Sequence, residues 1–215
     1  MVRVDKRLGV LGVLLEPTTV VTKAWQQILA IGQRTFWDPQ TVLVIGAGPI
    51  GLLAALIGVH LGREVHVVDR VTTGPKPALV EQLGAVYHAG TVAELGLQPD
   101  IVIECTGVVP LIVQAADAVA PGGIVCLTGI GSPDTPAAAS TAMLLASDAV
   151  LKNVVIFGSV NANRRHYFRA ATVLARADRS WLEQLVTRRV RPDEVDQALA
   201  RAPDDIKVVM EFAQP

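Results

Sequence analysis

Three glycines are spaced as in sites that bind the phosphates of a dinucleotide. Gly46, Gly48 and Gly51 form a G-x-G-x-x-G run directly after the apolar residues 42–45. The first glycine allows a tight turn, the second removes a Cβ that would hold a pyrophosphate away from the backbone, and the third lets a helix lie close to a sheet. Free N–H groups at the start of that helix then face the phosphates. Because the next apolar run ends at Asp69, the pattern predicts a dinucleotide site; the alternative is a glycine-rich turn that binds nothing.

Two adjacent residues bear on which nicotinamide dinucleotide this site would take. The Asp69 carboxylate could accept hydrogen bonds from both ribose hydroxyls of NAD, and it would repel the 2′-phosphate of NADP. Arg70 follows immediately, and an arginine is a common clamp for a 2′-phosphate. The alternative for Arg70 is a surface side chain without a ligand. We therefore expect NAD to be preferred and NADP to be tolerated.

Small polar residues follow three later strand-like runs. Thr106 and Gly107 follow the fourth run, Thr128 and Gly129 follow the fifth, and residues 158–161 follow the sixth. Ligands of open α/β sheets bind at the carboxyl ends of the strands, so we expect these residues to line the cofactor. The alternative for each threonine or serine is an ordinary helix cap.

The elements that must position these residues alternate between strand and helix. Apolar runs of strand length cover residues 42–45, 65–68, 86–87, 101–104, 124–127 and 154–157. Helical patterns lie between them at residues 50–61, 78–83, 110–120 and 137–151. Six strands with intervening helices predict an α/β fold with a doubly wound parallel sheet.

Further elements flank this alternating region. A helix is predicted over residues 17–31, with Pro17 at its first position and Gly32 as its stop. After Val160, the pattern predicts three more helices and a closing strand. They cover residues 164–175, 181–185, 192–199 and 208–212.

Composition and charge exclude several function classes. The chain has 215 residues, 51% of them hydrophobic, and its formal net charge of -1 gives no basis for binding nucleic acid or an anionic membrane. Cys105 and Cys126 each lie in an apolar run without metal-ligand or disulfide spacing, which favours a reducing compartment. The longest apolar stretch, residues 50–59, contains glycines and is too short to span a bilayer. We therefore expect a soluble, cytoplasmic protein.

Three C-terminal segments are more specific than the glycine motif. Residues 158–168 (GSVNANRRHYF), 178–188 (DRSWLEQLVTR) and 203–209 (PDDIKVV) resemble the glucose 1-dehydrogenase branch of the medium-chain dehydrogenase/reductase superfamily. The resemblance extends from about Glu16 to the C-terminus. It implies a Rossmann fold and an oxidoreductase that transfers a hydride from a sugar or polyol hydroxyl to NAD(P).

The resemblance also implies roles for individual residues. Residues 159–161 would contact the nicotinamide end of the cofactor, Asn161 would also touch the sugar, and Lys207 would be a further cofactor contact. Glu16 matches the position from which the family supplies a carboxylate to a catalytic zinc ion, which polarises the reacting oxygen as a Lewis acid. The alternative for Glu16 is an acid at the start of a helix. The candidate cofactor-binding residues are accordingly Gly46, Gly48, Pro49, Ile50, Gly51, Asp69, Arg70, Thr106, Thr128, Gly129, Ser159, Val160, Asn161 and Lys207.

The chain departs from the family pattern in its zinc ligands. Family members carry an N-terminal catalytic domain that supplies a Cys or Asp, a His and a further acid. None of His60, His66, His88 and His166 stands at these positions. A catalytic zinc site needs three protein ligands, so zinc is expected of the full-length family and is doubtful in this chain. We expect the sequence to be a fragment or a split reading frame.

Three segments follow from this comparison. Residues 1–38 would belong to the catalytic domain, residues 39–162 would form the NAD(P)-binding domain, and residues 163–215 would return to the catalytic domain. Without that domain we expect exposed apolar surface that favours homo-oligomers. The residues concerned are Trp25, Ile28, Trp181 and Leu185. The competing functions are a sugar or polyol dehydrogenase, a catalytically inactive NAD(P)-binding module, and a regulatory protein that binds no cofactor.

Overall fold

The computed structural model describes residues 5–131, 149–200 and 202–212. Its largest sheet has six strands, namely Thr41–Ile45 (β1), Glu64–Asp69 (β2), Val86–Ala89 (β3), Ile101–Glu104 (β4), Ile124–Leu127 (β5) and Val155–Gly158 (β6). All neighbours pair in parallel, in the order β3-β2-β1-β4-β5-β6. This is the order of a doubly wound sheet, so the predicted fold class is confirmed.

The first strand shows why the central strands are continuous apolar runs. Val42 and Val44 belong to one hydrophobic cluster, and Leu43 and Ile45 belong to a second cluster. Successive side chains of a strand point to opposite faces. Because helices cover both faces of a parallel sheet, every position of such a strand must be apolar.

The helices lie close to their predicted positions. They are Leu15–Gly32 (α1), Pro49–His60 (α2), Pro75–Gln82 (α3), Val109–Ala118 (α4), Arg164–Arg176 (α5), Arg179–Leu185 (α6) and Val195–Leu199 (α7), with 3-10 turns at Lys6–Leu14, Val92–Glu94 and Pro192–Glu194. Helix α1 begins before Pro17, which is therefore not its first residue; the first-turn N–H groups have no helical partner, so a proline is tolerated there. The helix predicted at residues 137–151 lies largely outside the described residues. In the described ranges, no helix combines the length and apolar character that crossing a membrane requires.

The flanking helices pack onto the sheet as part of its main hydrophobic cluster. The indole N–H of Trp25 donates a hydrogen bond to the Ala54 carbonyl at 3.0 Å. The indole N–H of Trp181 donates to the Leu79 carbonyl at 2.8 Å. The prediction that Trp25, Ile28, Trp181 and Leu185 are exposed is therefore wrong, because α1 packs against α2 and α5, and α6 packs against α3. At most 3% of each of these four residues is exposed. Other large apolar side chains of the flanking segments are exposed, including Phe36, Phe168, Leu199 and Phe212.

A second, two-stranded parallel sheet is formed by Val186–Val190 (β7) and Lys207–Met210 (β8). Strand β8 lies close to the strand predicted at residues 208–212, whereas β7 was not predicted. The sequence of β7, VTRRV, carries two arginines and lacks a continuous apolar run. The single helix predicted at residues 192–199 is a 3-10 turn followed by the short α7.

Candidate functional site

The candidate site lies at the carboxyl ends of the parallel strands. There the strand order reverses, because β1 pairs with β2 on one side and with β4 on the other. In doubly wound sheets a crevice opens at this reversal, and ligands bind in it. The turn from β1 to α2, which carries the glycine motif, leaves the sheet at this point.

Two of the three motif glycines are required by the fold itself. Gly46 has a φ of 98°, which favours glycine, and its N–H donates a hydrogen bond to the Val68 carbonyl at 2.8 Å. A Cβ on Gly51 would lie 1.8 Å from the carbonyl oxygen of Gly46. The first glycine therefore makes the turn, and the third allows α2 to approach it.

Gly48 is different, because no contact in the described protein requires a glycine there. Its φ is -80°, and a Cβ would meet nothing within 4 Å. No side chain caps the N-terminus of α2, which leaves first-turn N–H groups for an anion. The adjacent cavity, of about 290 Å³, is lined by Gly48, Pro49, Ala198, Leu199, Asp205, Ile206 and Val208. This open space is what a phosphate close to the backbone would occupy.

The predicted residues Pro49 and Ile50 open helix α2. Proline at the first helical position lacks only an N–H that the helix would leave unpaired. Pro49 and Ile50 are both partly exposed. Pro49 lines the cavity beside Gly48, whereas Ile50 packs against the main hydrophobic cluster.

Asp69, at the end of β2, already accepts three hydrogen bonds from the protein. Its Oδ2 accepts from the Ala47 N–H at 2.8 Å and from the Lys76 ammonium at 3.2 Å. Its Oδ1 accepts only a longer bond, 3.3 Å, from the Val71 N–H. Burial would raise the pKa of Asp69, but the Ala47 N–H and the Lys76 charge outweigh it and hold the pKa below its ordinary value. Asp69 is therefore an ionised carboxylate whose Oδ1 can accept a further hydrogen bond.

Arg70 is exposed beside Asp69. Within the described ranges no hydrogen bond or ion pair engages its guanidinium. Gly74 lies further along the same loop and has a φ of 85°. A Cβ on Gly74 would lie 2.3 Å from Oδ1 of Asp204. The loop after β2 thus borders the C-terminal segment that also lines the cavity beside Gly48.

The threonines at the ends of β4 and β5 are held by one buried glutamate. The Thr106 N–H, at 2.6 Å, and the Thr106 hydroxyl both donate to Oε1 of Glu104, which is fully buried. The Thr128 hydroxyl donates to the Glu104 carbonyl oxygen at 2.8 Å. Both hydroxyls therefore stabilise the strand ends, and a contact with a cofactor would be additional. Glu104 was not among the predicted site residues, although an acid inside an apolar run was a visible signal.

Glycines allow the loops after β4 and β5 to touch backbone to backbone. A Cβ on Gly129 would lie 2.0 Å from the Gly107 nitrogen. A Cβ on Gly107 would lie 2.4 Å from the carbonyl carbon of Ile130. Gly129, predicted as a cofactor contact, is thus also required by this packing.

The two cysteines are not candidate nucleophiles. Burial raises the pKa of Cys105 to about 12, although a hydrogen bond from the Thr128 hydroxyl acts in the opposite direction. Burial likewise raises the pKa of Cys126 to about 12. A thiol reacts as its thiolate, so both remain unreactive near neutral pH.

Ser159 carries a buried hydroxyl without a partner. Its N–H donates to the Leu127 carbonyl at 2.9 Å, which joins it to the end of β5. The residue is 5% exposed, and its Oγ makes no hydrogen bond to the residues that the structure describes. Buried polar atoms are rarely left unpaired. This hydroxyl therefore fits a ligand group at the end of the site opposite Asp69.

The loop after Ser159 is held by α1 and α5. The Lys23 ammonium donates to the Val160 carbonyl at 2.7 Å. The next residue, Asn161, has a φ of 60° and is exposed, so its side chain is available to a ligand. The contact from Lys23 was not predicted, since 137 residues separate it from Val160.

His166, on α5, fixes the start of that helix. Its Nδ1 accepts the Asn163 N–H at 3.0 Å, and its Nε2 lies 3.1 Å from Oε1 of Gln26 on α1. Burial, Lys23 and Arg169 together lower the pKa of His166. The imidazole is thus a neutral packed group that anchors the loop.

His66 and His88 contact each other across β2 and β3. Nδ1 of His66 lies 2.8 Å from Nε2 of His88, and Oε1 of Glu64 lies 3.2 Å from Nε2 of His66. Burial and the proximity of His66 lower the pKa of His88. His66 is buried, as expected of a packed histidine.

The remaining two predicted residues lie at opposite parts of the chain. Glu16 is an exposed acid in the first turn of α1, and its carbonyl accepts the Thr19 hydroxyl at 2.6 Å. Among the described residues, no group of three or more His, Cys, Asp or Glu side chains could hold a metal ion, so Glu16 does not complete a zinc site there. Lys207 begins β8, between Ile206 and Val208 of the cavity lining.

Comparisons with known proteins are consistent with this geometry. A family model described as "Glucose dehydrogenase C-terminus" matches residues 9–212. The chain is 35% identical to a glucose 1-dehydrogenase of Methanocella arvoryzae over 222 residues, which cover 99% of this chain and 62% of the relative. It is 37% identical to a glucose 1-dehydrogenase of Thermoproteus tenax over 216 residues, with 98% and 62% covered. It thus spans less than two thirds of the length of these relatives.

A solved structure extends the comparison to the three-dimensional fold. The glucose dehydrogenase of Haloferax mediterranei, in complex with NADP, Zn and gluconolactone, superposes with a TM-score of 0.87 at 27% identity. The match covers all of this chain and 62% of the Haloferax chain.

Proposed function

Because this chain belongs to the glucose dehydrogenase C-terminus family, we propose that it binds a nicotinamide dinucleotide at the carboxyl edge of its sheet. It would form the cofactor-binding part of a dehydrogenase that oxidises the anomeric hydroxyl of a sugar to a lactone. The observation that supports this most directly is the unfilled space at Gly48, where a Cβ would meet nothing within 4 Å. The protein gains nothing from a glycine at that position unless another molecule approaches the backbone.

Each of the candidate residues would bind a different part of the cofactor along the carboxyl edge of the sheet. First-turn N–H groups of α2 would bind the pyrophosphate beside Gly48. Asp69 would accept a ribose hydroxyl on Oδ1, the oxygen with the weaker internal contact. Ser159 would supply its unpaired hydroxyl at the nicotinamide end, and Asn161 would reach the sugar. A bound nicotinamide ring supplies the acceptor for the hydride.

Direct binding tests this proposal. Isothermal titration of the 215-residue chain with NAD and with NADP should give a dissociation constant for at least one of them. ATP and FAD serve as controls for dinucleotide chemistry. If neither nicotinamide cofactor binds at millimolar concentration, the proposal is wrong.

An inactive NAD(P)-binding module is the second candidate. It is supported by the described residues, among which no group of three or more His, Cys, Asp or Glu side chains could hold a metal ion. Both candidates require cofactor binding, and turnover separates them. Reduction of NAD(P) in the presence of a sugar and zinc, followed at 340 nm, would select the dehydrogenase.

Location and assembly belong to the same proposal. Two free cysteines, Cys126 in β5 and Cys105 directly after β4, fit a reducing cytoplasm. Exposed apolar side chains at Ile130, Val150 and Leu151 favour a homo-oligomer. The division at residues 1–38, 39–162 and 163–215 also stays a proposal.

A further inference from the structure

Lys76 forms an ion pair with Asp69 that the proposed function does not use. It lies in the first turn of α3, and its ammonium is 3.2 Å from Oδ2 of Asp69. The two side chains are 7% and 12% exposed, respectively. Surface ion pairs are easily replaced by water, whereas this one is enclosed, so Lys76 stays beside the carboxylate.

The pair changes what Asp69 can do to a bound cofactor. An acid at the end of β2 disfavours NADP because its negative charge repels the 2′-phosphate. Here the Lys76 charge offsets that of Asp69 at 3.2 Å. Of the other charged groups near this loop, Arg70 is exposed and Asp204 lies against Gly74. Their charges are opposite, so they leave no net negative charge to replace the one that Lys76 cancels.

Hydrogen bonding points in the same direction. Oδ2 of Asp69 accepts from both the Ala47 N–H and the Lys76 ammonium, which uses its two lone pairs. Only Oδ1 has free capacity, since its one bond, from the Val71 N–H, is 3.3 Å long. The carboxylate can therefore accept one ribose hydroxyl well, where a free one could accept two. The advantage of NAD over NADP is reduced further.

We propose that Lys76 is a specificity-determining residue that allows this site to accept NADP as well as NAD, although an aspartate ends β2. This inference rests on the proposed function, because it names the cofactor preference of the same site. The alternative is that Lys76 only fixes the loop after β2 and has no effect on the choice of cofactor.

The test is a double-mutant cycle on cofactor binding. Dissociation constants for NAD and NADP are measured by isothermal titration for the wild type, Lys76→Met, Asp69→Asn and the double variant. Lys76→Met should weaken NADP binding roughly tenfold or more, with NAD changed by less than about threefold because NAD carries no charge at its 2′ position. Asp69→Asn should shift the preference towards NADP. The double variant, with both charges removed, should return to within about threefold of the wild-type ratio.

Two further variants control for folding and for general charge. Lys76→Arg keeps the positive charge and should keep NADP binding. Lys6→Met removes an exposed lysine of the N-terminal 3-10 turn and should change neither constant. Melting curves identify any variant that fails to fold, and the charge-balanced double variant and Lys76→Arg then decide the question.

The outcomes separate this inference from the function on which it rests. If the wild type binds NAD but not NADP, the function stands and the role of Lys76 is refuted. Equal weakening of both cofactors in folded Lys76→Met, or an unchanged ratio, also refutes it. If the wild type binds neither cofactor, both proposals fail.

Discussion

The three glycines of the G-x-G-x-x-G motif have different structural roles. Gly46 and Gly51 are needed because of a positive φ and a 1.8 Å approach to a carbonyl oxygen. Gly48 has neither constraint. A side chain at Gly48 therefore costs the unliganded protein little and would occupy space that a phosphate needs.

Gly48→Val is the variant that tests this distinction. We expect the affinity for NAD(P) to fall roughly 100-fold or more, which corresponds to the loss of about 3 kcal/mol of phosphate contact. The melting temperature should stay within a few degrees of the wild type. Gly51→Val is the matched control and should fail to fold, because its Cβ cannot avoid the backbone. Unchanged affinity in folded Gly48→Val would place the phosphates elsewhere.

At the scale of elements, α1 contributes to the site although its sequence lies far from it. Lys23 holds the Val160 carbonyl at 2.7 Å, and His166 links Gln26 of α1 to the start of α5. Between these contacts lies Asn161, in a left-handed conformation. The helix therefore fixes the loop that would face the nicotinamide.

Lys23→Met should weaken only the binding of the nicotinamide end of the cofactor. Loss of a hydrogen bond from a charged donor costs about 1–3 kcal/mol when the acceptor stays buried, and less at an exposed site, so we expect NAD affinity to fall by roughly threefold to tenfold. ADP-ribose, which lacks the nicotinamide, should bind with unchanged affinity. Titration with both ligands measures the effect. Equal weakening of both would show that Lys23 acts through the fold as a whole.

The histidine pair of β2 and β3 predicts a pH dependence of stability. Burial and the neighbouring His66 lower the pKa of His88 below its ordinary 6.5 in the folded state. The unfolded chain then binds more protons than the folded one as the pH falls below 6.5. The free energy of unfolding should therefore be fully retained above pH 6.5 and should decrease on acidification through the lowered pKa.

Urea denaturation between pH 5 and 8 measures this dependence. His88→Asn should flatten the slope below pH 6.5. His60→Asn, on an exposed position at the end of α2, is the matched control and should leave the slope unchanged. A slope that His88→Asn does not alter would show that other groups, such as His166, carry the effect.

The parts of this structure that sequence could predict are those set by local pattern. The central strands were found because both of their faces are buried, which makes every residue apolar. Strand β7 was missed because it belongs to a small sheet and carries two arginines. The contacts of Lys76 and Lys23 could not be predicted, because each depends on how the loops fold back and not on residue spacing. Glu104 was missed although an acid inside an apolar run was a visible signal. The motif predicted Gly48 as the position where a phosphate approaches the backbone; a Cβ there would meet nothing within 4 Å, and the phosphate contact itself stays a prediction.

For the molecule as a whole, the flanking segments complete the core. The main hydrophobic cluster contains Leu14 and Trp25 from the N-terminal part, Val44 from the sheet, and Trp181 and Leu185 from the C-terminal part. These segments were expected to need another domain to cover them. Within this chain, Trp25 and Ile28 of α1 and Trp181 and Leu185 of α6 are instead buried in the main cluster.

Hydrogen exchange tests this shared core. Amides of residues 18–31, within α1, should exchange about as slowly as those of Thr41–Ile45, because α1 and the sheet should unfold together. The terminal strand Lys207–Met210, with one neighbour in a two-stranded sheet, should exchange faster. Exchange of α1 within seconds in a monomer would show that it is only loosely attached.

The cavity beside Gly48 has walls from two distant stretches of the chain, the start of α2 and the region around Leu199 and Ile206. A molecule that fills it would touch both and would act as a non-covalent tether for the segment that contains Leu199 and Ile206. Peptide bonds near the C-terminus should then survive a protease longer when the cofactor is present, since cleavage requires the segment to open. The lifetime of this tail in a cell would follow the supply of nicotinamide dinucleotide.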